Sequence, residues 1–258
     1  MPEISVKTEN LVRNFGSFVA VNQVNIEVYQ KEIFGFLGAN GAGKTTMIRM
    51  LCGLLKPSSG KATVGGLDVY RQSEQIKRSI GYMSQKFSLY EDLTVEENIN
   101  FYGGIYDLNQ KRIQKKRDEI FFSLGMGDYA RTLTYDLPLG FKQRLALGCA
   151  LLHDPRILFL DEPTSGVDPK ARRDFWEIIH QTVALGTTIF VTTHFMEEAE
   201  YCHRVFIMDA GKIIALDTPT KLKNRYKKKS MQEVFVTLVE KQQEKKTNPM
   251  PDSNDKMS

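Results

Sequence analysis

Cysteine is scarce and unpatterned in this sequence: Cys52, Cys149 and Cys202 are odd in number and share no metal-ligand spacing. That argues against a disulfide framework or a thiolate zinc site and fits a reduced, cytosolic compartment. A large excess of either charge is also missing. The 35 basic and 31 acidic residues leave a formal net charge of +4, too small a surplus to imply a nucleic-acid binder. No apolar run approaches the roughly 18 residues of a spanning helix, and the opening "MPEISVKTEN" lacks the pattern of a signal peptide. The chain is therefore expected to be soluble, with any membrane role coming through a partner. No internal repeat of useful length is present. What the 258 residues do hold is 41% hydrophobic and 26% charged positions, enough for one large domain or one domain with an insert.

Two kinds of strand pattern stand out. Val24, Ile26 and Val28 alternate with Asn25, Glu27 and Tyr29, the period of a half-buried, antiparallel strand. "EIFGFLGA" (32–39), "RILFLDEP" (156–163) and "TTIFVTTH" (187–194) are instead almost continuously apolar. Such runs, separated by helical stretches, predict a parallel sheet covered on both faces. Between Ser88 and His153 the text turns helical, which reads as an insert in an α/β core. "VFIMDAGKIIAL" (205–216) reads as a hairpin turning near Asp209-Ala210-Gly211. Near the end, "KLKNRYKKK" (221–229) reads as a solvated basic linker, the alternative being contact with anionic lipid, followed by a short amphipathic helix. From about Glu244 to Ser258 there is little to bury, and a disordered tail is expected.

The strongest chemical signal is "GANGAGKTT", 38–46, which fits the P-loop pattern G-x-x-x-x-G-K-[ST]. Gly38, Asn40, Gly41, Ala42 and Gly43 would aim backbone N–H groups at a phosphate chain, because glycines leave no Cβ in the way. Lys44 would neutralise the β and γ phosphates, Thr45 would hold Mg²⁺, and Thr46 continues the helix whose positive end faces the anion. A phosphate-transfer site also needs a carboxylate at the metal and a group to position water. "ILFLDEP" offers Asp161 for the metal and Glu162 as general base. Gln85 in "GYMSQ" is a candidate for Mg²⁺ and the water, Asp168 in "SGVDP" follows the acidic pair, and His194 ends a strand where an imidazole can meet the γ-phosphate. His153, His180 and His203 read as ordinary structural histidines.

In this order the motifs resemble the nucleotide-binding subunits of ABC transporters, over about residues 4–222. The resemblance implies an α/β P-loop NTPase fold: a RecA-like core with a mainly parallel sheet, an N-terminal antiparallel β subdomain and a helical insert at about 88–154. It implies a nucleotide-binding domain over 1–222, followed by the linker and short helix (223–243) and the tail (244–258). It also implies ATP and Mg²⁺ as ligands, and Phe15 in "NFG" stacking on adenine; the alternative for Phe15 is a strand-end core aromatic. Partners would be an integral membrane permease and a second cassette, in a homo- or heterodimer that sandwiches two ATP molecules head to tail. The place would be the cytoplasmic face of the cell membrane, with no nucleic acid involved.

"LPLGFKQR" (137–144) stands where the family writes L-S-G-G-Q-x-Q-R. Leu137, Gly140, Gln143 and Arg144 agree with that signature; Pro138, Leu139 and Phe141 depart from it. In the family the serine hydroxyl and glycine amides bond the γ-phosphate across the dimer. Pro138 has neither hydroxyl nor N–H, so an altered and weakened signature is expected, with Lys142 expected to point into water. Wording such as "FGFLGANGAGKTT", "GVDPKARRDFWEII" and "THFMEEAEYCHRV" resembles the ATPase subunits of drug-resistance-type exporters with a separate permease. Phe87, Leu89 and Tyr90 are candidates for permease contact or for packing within the insert. The rival readings are a soluble ABC ATPase of ribosomes or DNA, and a weakly hydrolysing ATP-driven clamp.

Overall fold

The computed structural model describes residues 3–85 and 89–247. Two long strands, β1 (Ile4–Phe15) and β2 (Phe18–Tyr29), pair antiparallel and are extended by β4 (Ser59–Val64) and β5 (Leu67–Asp68) in the order β2-β1-β4-β5. The second sheet holds β3 (Ile33–Leu37), β6 (Ile80–Met83), β7 (Ile157–Asp161), β8 (Thr188–Thr193), β9 (Arg204–Asp209) and β10 (Lys212–Asp217). Its order is β10-β9-β3-β8-β7-β6, parallel throughout except for the β9–β10 hairpin at the edge.

Every residue of β3, β7 and β8 is buried, as expected of a parallel sheet covered on both sides. Successive side chains go to different cores. Phe34, Phe36, Phe159, Phe190 and Phe206 face the antiparallel sheet and α1 (Lys44–Leu51). Within that layer Phe36 and Phe206 lie 4.2 Å apart and Phe159 stacks on Phe190 at 4.5 Å. Ile33, Leu37, Leu158, Leu160, Ile189 and Val191 face the other way, onto α5 (Leu139–Leu151), α6 (Pro169–Ala184) and the C-terminal helices. The short helix α2 (Ser73–Ser79) leads into β6.

The insert consists of α3 (Val95–Ile105), α4 (Gln110–Ser123) and α5. Thr94 opens α3 with a reciprocal capping box: its hydroxyl takes the Glu97 amide, and the Glu97 carboxylate takes the Thr94 amide at 2.8 Å. Asn98, fully buried, ties this helix to Tyr90 O and the Thr134 hydroxyl, both at 2.9 Å. Leu89 is buried in the insert's core, whereas Tyr90 is 45% exposed and packs edge-on against Phe101. Phe87 lies outside the described residues.

The C-terminal region differs from its expected form. Most of the basic stretch is helix, α7 (Pro219–Tyr226), capped by the Thr218 hydroxyl and anchored by the buried Leu222. The helix after it, α8 (Met231–Thr247), runs into the expected tail and buries Met231, Val234 and Leu238 in the same core as α5 and α6. The i, i+3, i+7 spacing of those three residues makes one apolar face, and that face docks against α7 and a 3-10 segment, Met196–Tyr201. No linker therefore separates this region from the core. No helix among the described residues is long and apolar enough to cross a membrane.

Candidate nucleotide-binding site

The parallel register ends β3, β7 and β8 at one edge: Leu37 pairs with Thr193, and Asp161 with Thr192. Ligands of open α/β sheets bind at the carboxyl ends of the strands, and the candidate residues follow four neighbouring strands there. Gly38 leaves β3, Gln85 follows β6, Glu162 follows β7 and His194 follows β8. The turn from β3 to α1 is built for backbone approach. Gly43 precedes the helix with φ 108°, and a Cβ there would lie 2.3 Å from Ala20 O. A Cβ on Gly38 would lie 2.4 Å from Met208 O.

Glu162 is the hub. Its Oε2 accepts Gln85 Nε2 at 3.0 Å and lies 3.2 Å from His194 Nδ1; its Oε1 lies 3.7 Å from Lys44 Nζ. The residue is buried, with φ 50°, in the left-handed region that costs a non-glycine residue on the order of 1–3 kcal/mol. Its amide is held by the Thr192 hydroxyl at 2.8 Å. Lys44 Nζ also donates to Gly38 O at 2.8 Å and Ala39 O at 3.2 Å. Burial lowers the Lys44 pKa, an effect partly offset by the Glu162 and Asp161 carboxylates.

Asp161 lies behind this hub. Its Oδ1 accepts the Thr192 hydroxyl at 2.6 Å and the Thr45 hydroxyl at 3.1 Å, while Oδ2 is buried with no partner. Burial is the main reason its pKa is raised above the usual 3.8; the two hydroxyls oppose that shift and Glu162 adds to it. An unpartnered buried carboxylate oxygen beside a threonine hydroxyl is a donor set that fits a hard divalent cation. The raised pKa means that Asp161 adds stability below about pH 3.8 and that this is lost as pH rises through the folded value. Asp161→Asn is therefore expected to melt at a higher temperature than wild type at neutral pH and to lose that advantage in acid. Thermal melts across pH, without nucleotide, check this.

The cleft above these groups has a volume of about 320 Å³ and is lined by Phe15, Phe18, Asn40, Lys44, Thr45 and Glu162, among others. Phe15 and Phe18 are cross-strand partners around the two-residue turn Gly16-Ser17, and both are exposed. The Arg13 guanidinium lies 4.5 Å from the centre of the Phe15 ring. Phe18 escaped the sequence reading, although a two-residue turn after Phe15 puts residue 18 opposite it. A larger cavity, about 700 Å³, opens at the other end of the strands, beside Ile157 and Thr188, and contains none of the candidate residues.

The signature stretch does not line this cleft. Pro138 is the N-cap of α5 and offers no side-chain cap; Leu137 and Gln143 are buried. Gly140 packs closely on α6, where its Cβ would lie 3.0 Å from Ala171 Cβ. Arg144 bonds Leu124 O at 3.1 Å and Asp174 at 3.0 Å, joining α5 to the end of α4 and to α6. The two large apolar departures have packing partners: Leu139 Cδ2 lies beside Gly166, and Phe141 packs on Tyr129 at 4.4 Å under Arg144. Lys142 does not point into water, because Glu91 holds it at 3.4 Å near the Tyr135 ring. Asp168 caps α6 by accepting the Lys170 and Ala171 amides, both at 3.0 Å. His203 and His153 have structural bonds, to Ile33 N and Ile80 O respectively.

The family model described as ABC transporter matches residues 21–165, more than half of the chain. The chain belongs to the ABC transporter family. Among its ATP-binding relatives is "Probable multidrug ABC transporter ATP-binding protein YbhF" of Escherichia coli K12, 48% identical over 92% of this chain. The chain spans only 42% of that relative's length. The linearmycin resistance ATP-binding protein LnrL of Bacillus subtilis is 37% identical over 85% of this chain and 71% of its own. A solved ATP-binding subunit of an ABC transporter superposes with a TM-score of 0.81 at 26% identity, covering 91% of this chain and 99% of that one. The fold of the ATP-binding cassette thus accounts for the mixed, mostly parallel core sheet, the antiparallel sheet and the helical insert.

Proposed function

We propose that the chain hydrolyses ATP to power an exporter, as one of two cassettes bound to a membrane permease at the cytoplasmic face of the cell membrane. The observation that carries this reading is the convergence of Lys44, Gln85 and His194 on the Glu162 carboxylate. Resistance and multidrug names among the relatives support export.

ATP is the substrate in this reading. The P-loop amides and Lys44 bind the phosphate chain, and Phe15, backed by Arg13, offers a ring face to the base. Glu162 accepts a proton from the attacking water as the water oxygen bonds to the γ-phosphorus and the bond from that phosphorus to the β–γ bridging oxygen breaks, so that ADP leaves. Gln85 orients Glu162 and the water, and His194 donates to the γ-phosphate oxygens, where charge builds up. Thr45, Asp161 and Gln85 would hold Mg²⁺, which supplies charge neutralisation between the phosphates.

Because the signature lies outside its own chain's cleft, it is available to a second cassette, with Asp168 and its loop alongside. The altered signature serves that neighbour's ATP weakly. Pro138 brings no hydroxyl, and one lost charge-assisted hydrogen bond costs about 1.5–3 kcal/mol, roughly 10- to 150-fold in rate. Pro138→Ser is therefore expected to raise ATP turnover by about 10-fold or more where two copies of this chain pair. An unchanged or lower steady-state rate for a folded Pro138→Ser chain would remove the weakened-signature reading. Association with a membrane permease is tested by fractionation. The chain should sediment with membranes and leave them with a solubilised permease, whereas sedimentation with ribosomes would overturn the proposal.

A further inference from the structure

Behind the site, the loops that carry its chemistry are joined by side chains the hydrolytic scheme does not use. Glu198 lies in the 3-10 segment after His194 and is 1% exposed. Its Oε1 accepts the Thr164 hydroxyl at 2.5 Å and lies 3.6 Å from Arg172 Nε. Its Oε2 is buried without a partner. Arg172, on the first turn of α6, donates from Nη2 to Val167 O at 3.4 Å and lies 4.0 Å from the centre of the Phe195 ring. That ring in turn lies 4.2 Å from the imidazole of His194.

A carboxylate taken out of water is costly unless charge and hydrogen bonds compensate, and here the compensation comes from other segments. Thr164 is two residues after Glu162, Val167 precedes Asp168, and Phe195 follows His194. The segment carrying Glu198 is itself braced by α8. Glu198, Thr164 and Arg172 are absent from the lining of the nucleotide cleft.

We infer that Glu198 is a positioning residue for hydrolysis: through Thr164 and Arg172 it fixes the loop of Glu162 and Asp168 against the loop of His194. The inference rests on the proposed ATPase reading and adds a linkage that ties two arms of the site into one rigid unit. The aim of the general base and the aim of the histidine are then set together, and weakening the link loosens both.

The test uses the purified full chain as wild type, Glu198→Gln and Thr164→Val, with Glu162→Gln as the blank. Steady-state turnover of Mg-ATP, binding of a fluorescent ATP analogue and thermal melting are measured for each. Misplacement of catalytic groups costs up to about 100-fold, so kcat is expected to fall about 10- to 100-fold in Glu198→Gln. KM and analogue affinity should stay within about threefold, because ground-state binding is untouched. Thr164→Val, which keeps the carboxylate and the ion pair, should show the same split to a smaller degree and carries the test if Glu198→Gln does not fold. A lower melting temperature with unchanged kcat would mean a purely structural role and overturn the inference. So would a fall in analogue affinity that matches the fall in kcat/KM. A wild-type rate at the blank level would overturn the reading in which two copies of this chain complete a hydrolytic site, and this inference with it, whereas a wild-type rate above the blank with unaltered variants overturns the inference alone.

Discussion

Glu162→Gln is expected to lower ATP turnover by about 10²- to 10⁴-fold, the usual contribution of a positioned general base. The amide has nearly the shape of the carboxylate, so the fold and the P-loop should be undisturbed. What changes is the basicity of the oxygen beside His194 and the charge opposite Lys44. Nucleotide affinity should therefore stay the same or rise, since a negative group near the bound phosphates has been removed. Single-turnover hydrolysis and equilibrium binding of the same preparation separate the two effects. A turnover loss accompanied by an equal loss of affinity would count against the base role, because it would mean that Glu162 acts in binding.

Lys44→Met has the opposite signature. The lysine is 4% exposed and its ammonium is held among loop carbonyls and Glu162, in the turn that would wrap the phosphates. Methionine fills a similar volume without the charge. Each charged hydrogen bond to a phosphate contributes about 1.5–3 kcal/mol, so ATP affinity is expected to fall at least about 10- to 150-fold. Titration of wild type and variant with a fluorescent ATP analogue reads this directly, and near-UV circular dichroism checks that the variant is folded. Unchanged affinity would mean that the nucleotide does not sit on this loop.

The parts of the site that were legible in the sequence are those fixed by local geometry. The Gly38–Thr46 pattern dictates a turn into a helix, and the continuous apolar runs ending in Leu37, Asp161 and Thr193 dictate buried strands with chemistry at their ends. Parallel pairing then brings those ends together, so Lys44, Gln85, Glu162 and His194 meet although they are far apart in the chain. What remained hidden depends on contacts that no local period encodes. The Thr192 hydroxyl meets Asp161 only because β8 lies beside β7 in that register. The Lys142–Glu91 pair, the Leu139 contact with Gly166 and the Glu198 network are meetings of segments set by packing of the insert and α6. The last helix is a different case. The amphipathic helix itself was expected after the basic run; its docking through Met231, Val234 and Leu238, and the helical form of the basic run, come from packing that the local pattern does not encode.

The measurement that tests the account most directly is specific ATP turnover by the purified chain with Mg²⁺, followed over a wide range of chain concentration with Glu162→Gln as blank. Where two copies of this chain pair, turnover above the blank that climbs with concentration is expected, because the cleft of one chain is completed by the signature of another. Turnover indistinguishable from the blank at every concentration, or turnover above it that is independent of concentration, would contradict a site completed by pairing of this chain.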